Sequence, residues 1–372
     1  MFRHSIPLGR ILGIPIELDY SWFLIAVLVT WVMAVNYYPV EFKGASASEY
    51  WLMGAATAIL FFVSIVLHEL AHSFVATRYK VRVDRITLFI FGGVSQIAGE
   101  PPSAGSEFLI AVVGPLTSFV LAGLFYVSER FLTGVPPVLA VAKYLALINC
   151  LLGVFNLIPG FPLDGGRVFR AIVWGVNKNF RRATLIAAST GRFFGFLFIA
   201  LGVWQVLGGN VFNGLWIAFI GWFLESAAGS QLQMQMVQGL LGGHKVTEAM
   251  GSDCARTSGN TTLQKLIDEQ VLTHAQRCFL VEAGDRVVGF LTLHDIKAVP
   301  RASWPATTAA EAMIPIEKLS TIDPNAELWT AMNKMGKDGV NQMPVLAGSK
   351  FVGMLSRGDI LKYLQTLQQL RV

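Results

Sequence analysis

Six long apolar runs fill the chain up to about residue 230, and ordinary soluble patterning follows. The runs cover about Tyr20 to Tyr37, Trp51 to Ala76, Phe108 to Val127, Val138 to Ile158, Leu185 to Leu207 and Phe212 to Ala227. Each is close to the ~20 residues a helix needs to cross a bilayer. Between the second and third runs, Ile86 to Ala98 is too short and too rich in β-formers to span. Gly92-Gly93 suits the tight turn of a hairpin there. Such a hairpin either packs on the helices at the surface or dips into the membrane, where its edge must be covered by protein or water.

The polar part repeats itself. Val246 to Met250 corresponds to Ala309 to Met313, and Val288 to Ile296 corresponds to Val352 to Ile360. The two offsets agree to within about one residue. Strand-like runs, Cys278 to Val281 and Met343 to Leu346, precede the second match in each copy. The repeating unit reads helix, strand, strand, helix. Gly229 to Gly243, rich in Gln and Gly, reads as a connector. The expected domains are therefore 1–229 in the membrane, a linker at 230–243, and a soluble pair at 244–372 that divides into 244–305 and 306–372. The fold class is a polytopic α-helical membrane domain of about six spans with a membrane-associated β-hairpin, then a soluble α/β pair.

Composition agrees. Of 372 residues, 53% are hydrophobic and 14% charged, where a soluble domain carries roughly a quarter charged. The net charge of +5 is modest, and the bases stand beside apolar runs, which points to topology and away from nucleic acid. Arg3 and Arg10 precede the first run; Arg78, Lys80, Arg82 and Arg85 follow the second; Arg167, Arg170, Lys178, Arg181 and Arg182 follow the fourth. The intervening loops hold little beyond Lys43, Arg130 and Lys143. The positive-inside rule then makes both termini and the soluble pair cytoplasmic. No signal-peptide pattern opens the chain, since Asp19 interrupts its first apolar run. Cys150, Cys254 and Cys278 match neither a zinc ribbon nor a disulfide framework, so free thiols in a reducing compartment are expected.

The second run holds the candidate chemistry, His68-Glu69-Leu70-Ala71-His72. Residues four apart share a helix face, so both imidazoles can reach one metal ion. Glu69 lies one position on, close enough to take a proton from an attacking water. The bland reading is a polar cluster that ties helices together, but ionisable groups at this depth are costly and mark function by default. Two histidines leave a catalytic zinc one protein ligand short. Asp164 is the candidate, in Asn156-Leu157-Ile158-Pro159-Gly160-Phe161-Pro162-Leu163-Asp164-Gly165-Gly166. Prolines interrupt the helix there, and Gly165-Gly166 permits close backbone approach. Spacing alone does not join Asp164 to His68; it could merely cap a turn. Glu225 is the rival carboxylate, with snorkelling to the interface as its ordinary role.

These two motifs, in this order and both in apolar segments, resemble the site-2 protease family of intramembrane zinc metalloproteases. The likeness covers about residues 10 to 225, and Asn156 to Gly165 fits the family pattern N-x-x-P-x-x-x-L-D-G. It implies that His68, His72 and Asp164 ligate zinc and that Glu69 is the general base. Gly114-Pro115 also fits a family element, though a small-residue helix contact is the better reading of those two. Asn156 is a candidate for positioning substrate or transition state. The resemblance implies regulated intramembrane proteolysis of a transmembrane protein substrate within the lipid bilayer. A helical substrate must unwind to expose its carbonyls, and the hairpin near Gly92-Gly93 could take the unwound strand by β-addition.

The soluble repeat resembles a pair of cystathionine-β-synthase-type (CBS) domains. The likeness implies adenine nucleotide (ATP or AMP) contacts from Thr292, Asp295, Ser356 and Asp359; helix capping is the other reading. It also suggests a homodimer through the pair, no nucleic-acid partner, and the plasma (inner) membrane of a prokaryote. Competing classes are a CBS-gated ion transporter or channel, which would scatter ionisable and broken-helix features over several spans, and a catalytically silent membrane regulator.

Overall fold

The computed structural model describes residues 5–90, 92–251, 254–274, 276, 278–284, 286–348 and 350–370; Arg3 lies outside them. Among the described residues six helices are long and apolar enough to cross a membrane. They are α1 (Ser21–Glu41), α2 (Ala47–Arg78), α3 (Ala104–Ser128), α4 (Pro136–Asn156), α6 (Phe180–Leu207) and α7 (Val211–Leu241). A shorter amphipathic helix, α5 (Asp164–Asn177), lies between α4 and α6. Capping boxes fix where the two site-bearing helices begin. Ser46 pairs with Glu49 ahead of α2, and Ser103 with Ser106 ahead of α3. The 32 residues of α2 reach about 48 Å, well beyond the ~30 Å of a bilayer core. The chain divides after Gln235 into two units.

In the first unit, four strands precede and follow the first two helices: β1 (Ser5–Ile11), β2 (Ile14–Asp19), β3 (Arg82–Phe89) and β4 (Gly92–Ala98). They form one sheet in the order β1-β2-β3-β4, with β2 and β3 parallel and the outer pairs antiparallel. β2 alternates buried Ile14, Ile16 and Leu18 with less buried neighbours, the period of a strand with one face on a core. That face packs against Phe62, Ile65 and Leu70 of α2 together with Ile86 and Leu88 of β3. The expected hairpin forms as β3 and β4, and two details differ. The N-terminal strands join it, and the reversal falls between Phe89 and Gly92, which are paired. Gly92-Gly93 therefore opens β4 rather than forming the turn; Gly92 has φ 121°, a conformation that favours glycine. Phe91 lies outside the described residues.

The second unit contains the repeat. Its first copy holds β5 (Ala255–Ser258), β6 (Cys278–Ala283), β7 (Arg286–Thr292) and α8 (Leu293–Ala298). The second holds α9 (Ala309–Ala312), β8 (Ile314–Pro315), α10 (Leu328–Asp338), β9 (Gln342–Ala347), β10 (Lys350–Ser356) and α11 (Arg357–Gln369). The hairpins share a register: Val281 pairs with Gly289 as Val345 pairs with Gly353. Each copy lends a segment to the other. Ile314 pairs with Phe290, and Gly251 bridges to Met354. The lent methionines explain the paired glycines, since a Cβ on Gly289 would meet Met313 Sδ at 2.5 Å and one on Gly353 would meet Met250 Sδ at 3.1 Å.

Two further expectations are corrected. Residues 230–241, read as part of a linker, are helical and belong to α7. Gln, Met and Leu there are good helix formers, and the helix stops only at Gly242-Gly243, where Gly243 has φ 82°. Cys254 and Cys278 are joined in a disulfide, with Cα atoms 4.8 Å apart, and are not free thiols. Parallel pairing of Ala255 with Phe279 sets the preceding residues side by side at the ordinary strand spacing. Cys150 is free.

Candidate metal centre

His68 and His72 are both buried, one helical turn apart on α2. Their Nε2 atoms lie 3.1 Å apart, and Asp164 Oδ2 lies 3.0 Å from each. Among the described residues this is the one trio of His, Cys, Asp or Glu groups whose ligand atoms converge, all within 4.8 Å. A tetrahedral zinc with bonds of about 2.0–2.1 Å needs ligand atoms roughly 3.3 Å apart, so the triangle fits such an ion to within a few tenths of an ångström.

Asp164 reaches this point because its own backbone is folded tightly. α4 ends at Asn156, and the chain turns through Gly160 before α5 begins at Asp164. A Cβ on Gly165 would stand 2.4 Å from the Leu157 carbonyl carbon, and one on Gly166 would stand 2.3 Å from that of Gly160. Both glycines are required by the turn. α6 braces it, with Phe161 N donating to Ala187 O at 3.3 Å. Arg170, two turns into α5, donates through Nε to Glu107 of α3 at 2.7 Å and stacks on Phe161 and Phe180. Glu107 is fully buried, so breaking this pair would leave an uncompensated charge at a cost of about 3–5 kcal/mol.

α3 supplies the other wall. His72 Nδ1 donates to the Ile110 carbonyl at 2.5 Å, and His68 Nδ1 lies 2.9 Å from Ser118 Oγ. The carbonyl can only accept, so His72 carries its proton on Nδ1 and presents the Nε2 lone pair to the centre; where His68 likewise donates to Ser118, its Nε2 does the same. Gly114 stands midway between Ile110 and Ser118. A Cβ there would meet His72 Nε2 at 2.1 Å and His68 Nε2 at 2.7 Å. Gly114, read chiefly as a small-residue helix contact, thus keeps open the space the imidazoles share. The residues at 110, 114 and 118 recur every four along one helix face, a spacing that was visible beside the Gly-Pro pair. Glu69 is half-buried next to His68, and its Oε2 accepts a hydrogen bond from Ser95 Oγ of β4 at 2.5 Å.

A sequence model of peptidase family M50 matches residues 56–143 and 134–198. Rip3 of Mycobacterium tuberculosis is 34% identical over 367 residues, which cover 97% of this chain and 93% of the relative. The chain belongs to peptidase family M50, the site-2 protease family. This M50 chain is also similar to Zinc metalloprotease MJ0392 of Methanocaldococcus jannaschii, 28% identical over 370 residues that cover 98% of each. A solved structure, the Site-2 Protease from Methanocaldococcus jannaschii, aligns with a TM-score of 0.43 and 28% identity over 62% of this chain and 95% of that one. A CBS domain model matches residues 309–366. Six apolar helices and family membership make the chain an integral membrane protein. The transporter and silent-regulator readings are not favoured.

The remaining sequence candidates are placed as follows. Asn156 is the half-buried last residue of α4, just ahead of the turns that lead to Asp164. Glu225 is paired with Arg192 at 2.8 Å. Thr292 and Ser356 are the N-caps of α8 and α11, and each donates through its hydroxyl to Asp295 or Asp359 at 2.6 Å. All four side chains thus form two matching capping boxes at equivalent positions of the repeat.

Proposed function

We propose that His68, His72 and Asp164 hold the catalytic zinc of this intramembrane metalloprotease and that Glu69 is its general base. The observation that carries the reading is the convergence of two buried imidazoles and the partly buried Asp164 carboxylate beside a further carboxylate, Glu69, on the histidines' own helix. Zinc, when bound, polarises a scissile carbonyl and acidifies water. The protein's own groups do the rest. The Ile110 carbonyl fixes the His72 tautomer, and Ser118 orients the His68 ring. Glu69 takes a proton from the attacking water and delivers it to the leaving nitrogen. Asn156 positions the substrate at the mouth of the Asp164 turn.

The substrate class is a transmembrane segment of another membrane protein, cut within or near the bilayer in regulated intramembrane proteolysis. Strand β4 is the last in its sheet among the described residues, so its outer edge can pair with a locally unwound substrate strand. The basic loops orient the chain with both termini and the CBS pair in the cytoplasm of a prokaryote and the helices in its plasma membrane. The CBS pair would bind an adenine nucleotide near Thr292, Asp295, Ser356 and Asp359 and associate as a homodimer.

Purified full-length protein in detergent, given a tagged transmembrane substrate, should lose cleavage on chelation and regain it on addition of zinc. Cleavage that persists after the metal is removed and measured as absent would overturn the proposal.

A further inference from the structure

Glu69 is gripped from outside its own helix. Strand β4 runs beside it, and residues 93 and 95 share one face of that strand. At Gly93 the face is empty by necessity, because a Cβ would stand 2.8 Å from Glu69 Cγ. At Ser95 the face reaches up, and Oγ donates to Glu69 Oε2 at 2.5 Å. Ser73, fully buried on α2, donates to Ser95 Oγ at 3.3 Å. An ionised carboxylate can only accept, so the Ser95 hydroxyl gives its proton to Glu69 while accepting from Ser73. Ser95 itself is fixed by the hairpin, paired with Ile86 across to β3.

We infer that Ser95 is a positioning residue: its hydroxyl holds the Glu69 carboxylate in the orientation proton transfer requires, and so ties the base to the strand whose free edge receives substrate. The inference rests on the protease reading and adds a specific link to it. A residue on the substrate-binding strand, not on the metal-binding helix, sets the aim of the base. A substrate strand laid along β4 would thereby stiffen the support of the base that activates the attacking water.

The test compares Ser95→Val with Ser95→Thr in the full-length protein. Both are β-branched and suit a strand; only threonine keeps the hydroxyl. Loss of a hydrogen bond to a charged group should lower kcat about 10- to 100-fold in Ser95→Val. KM should change by less than about 3-fold, zinc content should stay at the wild-type level, and Ser95→Thr should restore most of the rate. A second readout needs no turnover. In the cobalt(II)-loaded protein, Ser95→Val should shift the visible absorption in the same sense as Glu69→Gln, and Ser95→Thr should match wild type. Equal kcat for Ser95→Val and wild type overturns the inference. So does equal loss in the valine and threonine variants, a change confined to KM, or an unshifted cobalt spectrum for Ser95→Val. If wild type cuts nothing while the cobalt spectra respond as expected, the protease reading fails and the Ser95 contact stands.

Discussion

Ser118 Oγ lies 2.9 Å from His68 Nδ1, so a hydroxyl on α3 orients a proposed metal ligand on α2. Partners of this kind fix ring orientation and ligand basicity, and their loss typically costs 10–100-fold in metal affinity. Ser118→Ala is expected to weaken zinc binding by about that factor without unfolding the protein. Competition with a chromophoric chelator measures it. Unchanged affinity would mean that the α2–α3 packing alone holds His68.

Gly114 makes a sharper prediction. Alanine favours a helix more than glycine does, so Gly114→Ala should preserve or raise the stability of α3 in isolation. Its methyl, however, would fall on the two imidazole Nε2 atoms. The variant should fold with wild-type helicity by circular dichroism yet retain zinc far below one ion per chain after dialysis. Full zinc occupancy in Gly114→Ala would show that α3 can retreat and that the cavity is not fixed as described.

The second unit offers a pH-dependent test. The backbone N–H of Lys245 hydrogen-bonds the Glu248 carboxylate, and Tyr363 and His244 add to the effect. Its pKa is held down at about 2 against an ordinary 4.5. The Tyr363 phenol is correspondingly pushed up to about 12, by burial and by its bond to Glu248. A carboxylate depressed on folding contributes stability that is fully present above the unfolded value and lost as pH falls through the folded one. The stability difference between wild type and Glu248→Gln should therefore be constant above about pH 5 and shrink progressively from about pH 4.5 toward pH 2. Thermal unfolding of the full-length chain across that range checks it. A difference that does not vary with pH would contradict the assignment. The group is largely exposed, so the effect is a small one.

Much of this architecture is legible in the chain because its signals are local. Apolar runs locate the six helices, and i, i+4 spacing brings His68 to His72. The repeat is visible because Gly289 and Gly353, and Met250 and Met313, answer to one packing need twice over. What escapes is whatever depends on register between distant segments. Strand β1, with Pro7, Gly9 and Arg10, carries no clean alternation, and it joins a sheet only because β2 lies parallel to β3, which begins some sixty residues later. The Cys254–Cys278 bond is hidden for the same reason: two cysteines 24 residues apart meet because β5 and β6 are neighbours. Asp164 reaches the imidazoles through a turn whose shape is set by glycine contacts with Leu157 and Gly160. The motif makes it a candidate ligand, but its position beside the imidazoles was not readable. The partners on α3 required knowing which face of that helix meets α2.

In the proposed mechanism Glu69 carries the proton while His68, His72 and Asp164 carry the metal. The most direct measurement is cleavage of a tagged transmembrane substrate by wild type and Glu69→Gln, with zinc quantified on the same samples. Both proteins are expected to hold one zinc per chain, and only wild type to cut. Cleavage by Glu69→Gln at a rate near wild type, with zinc bound, would contradict this mechanism.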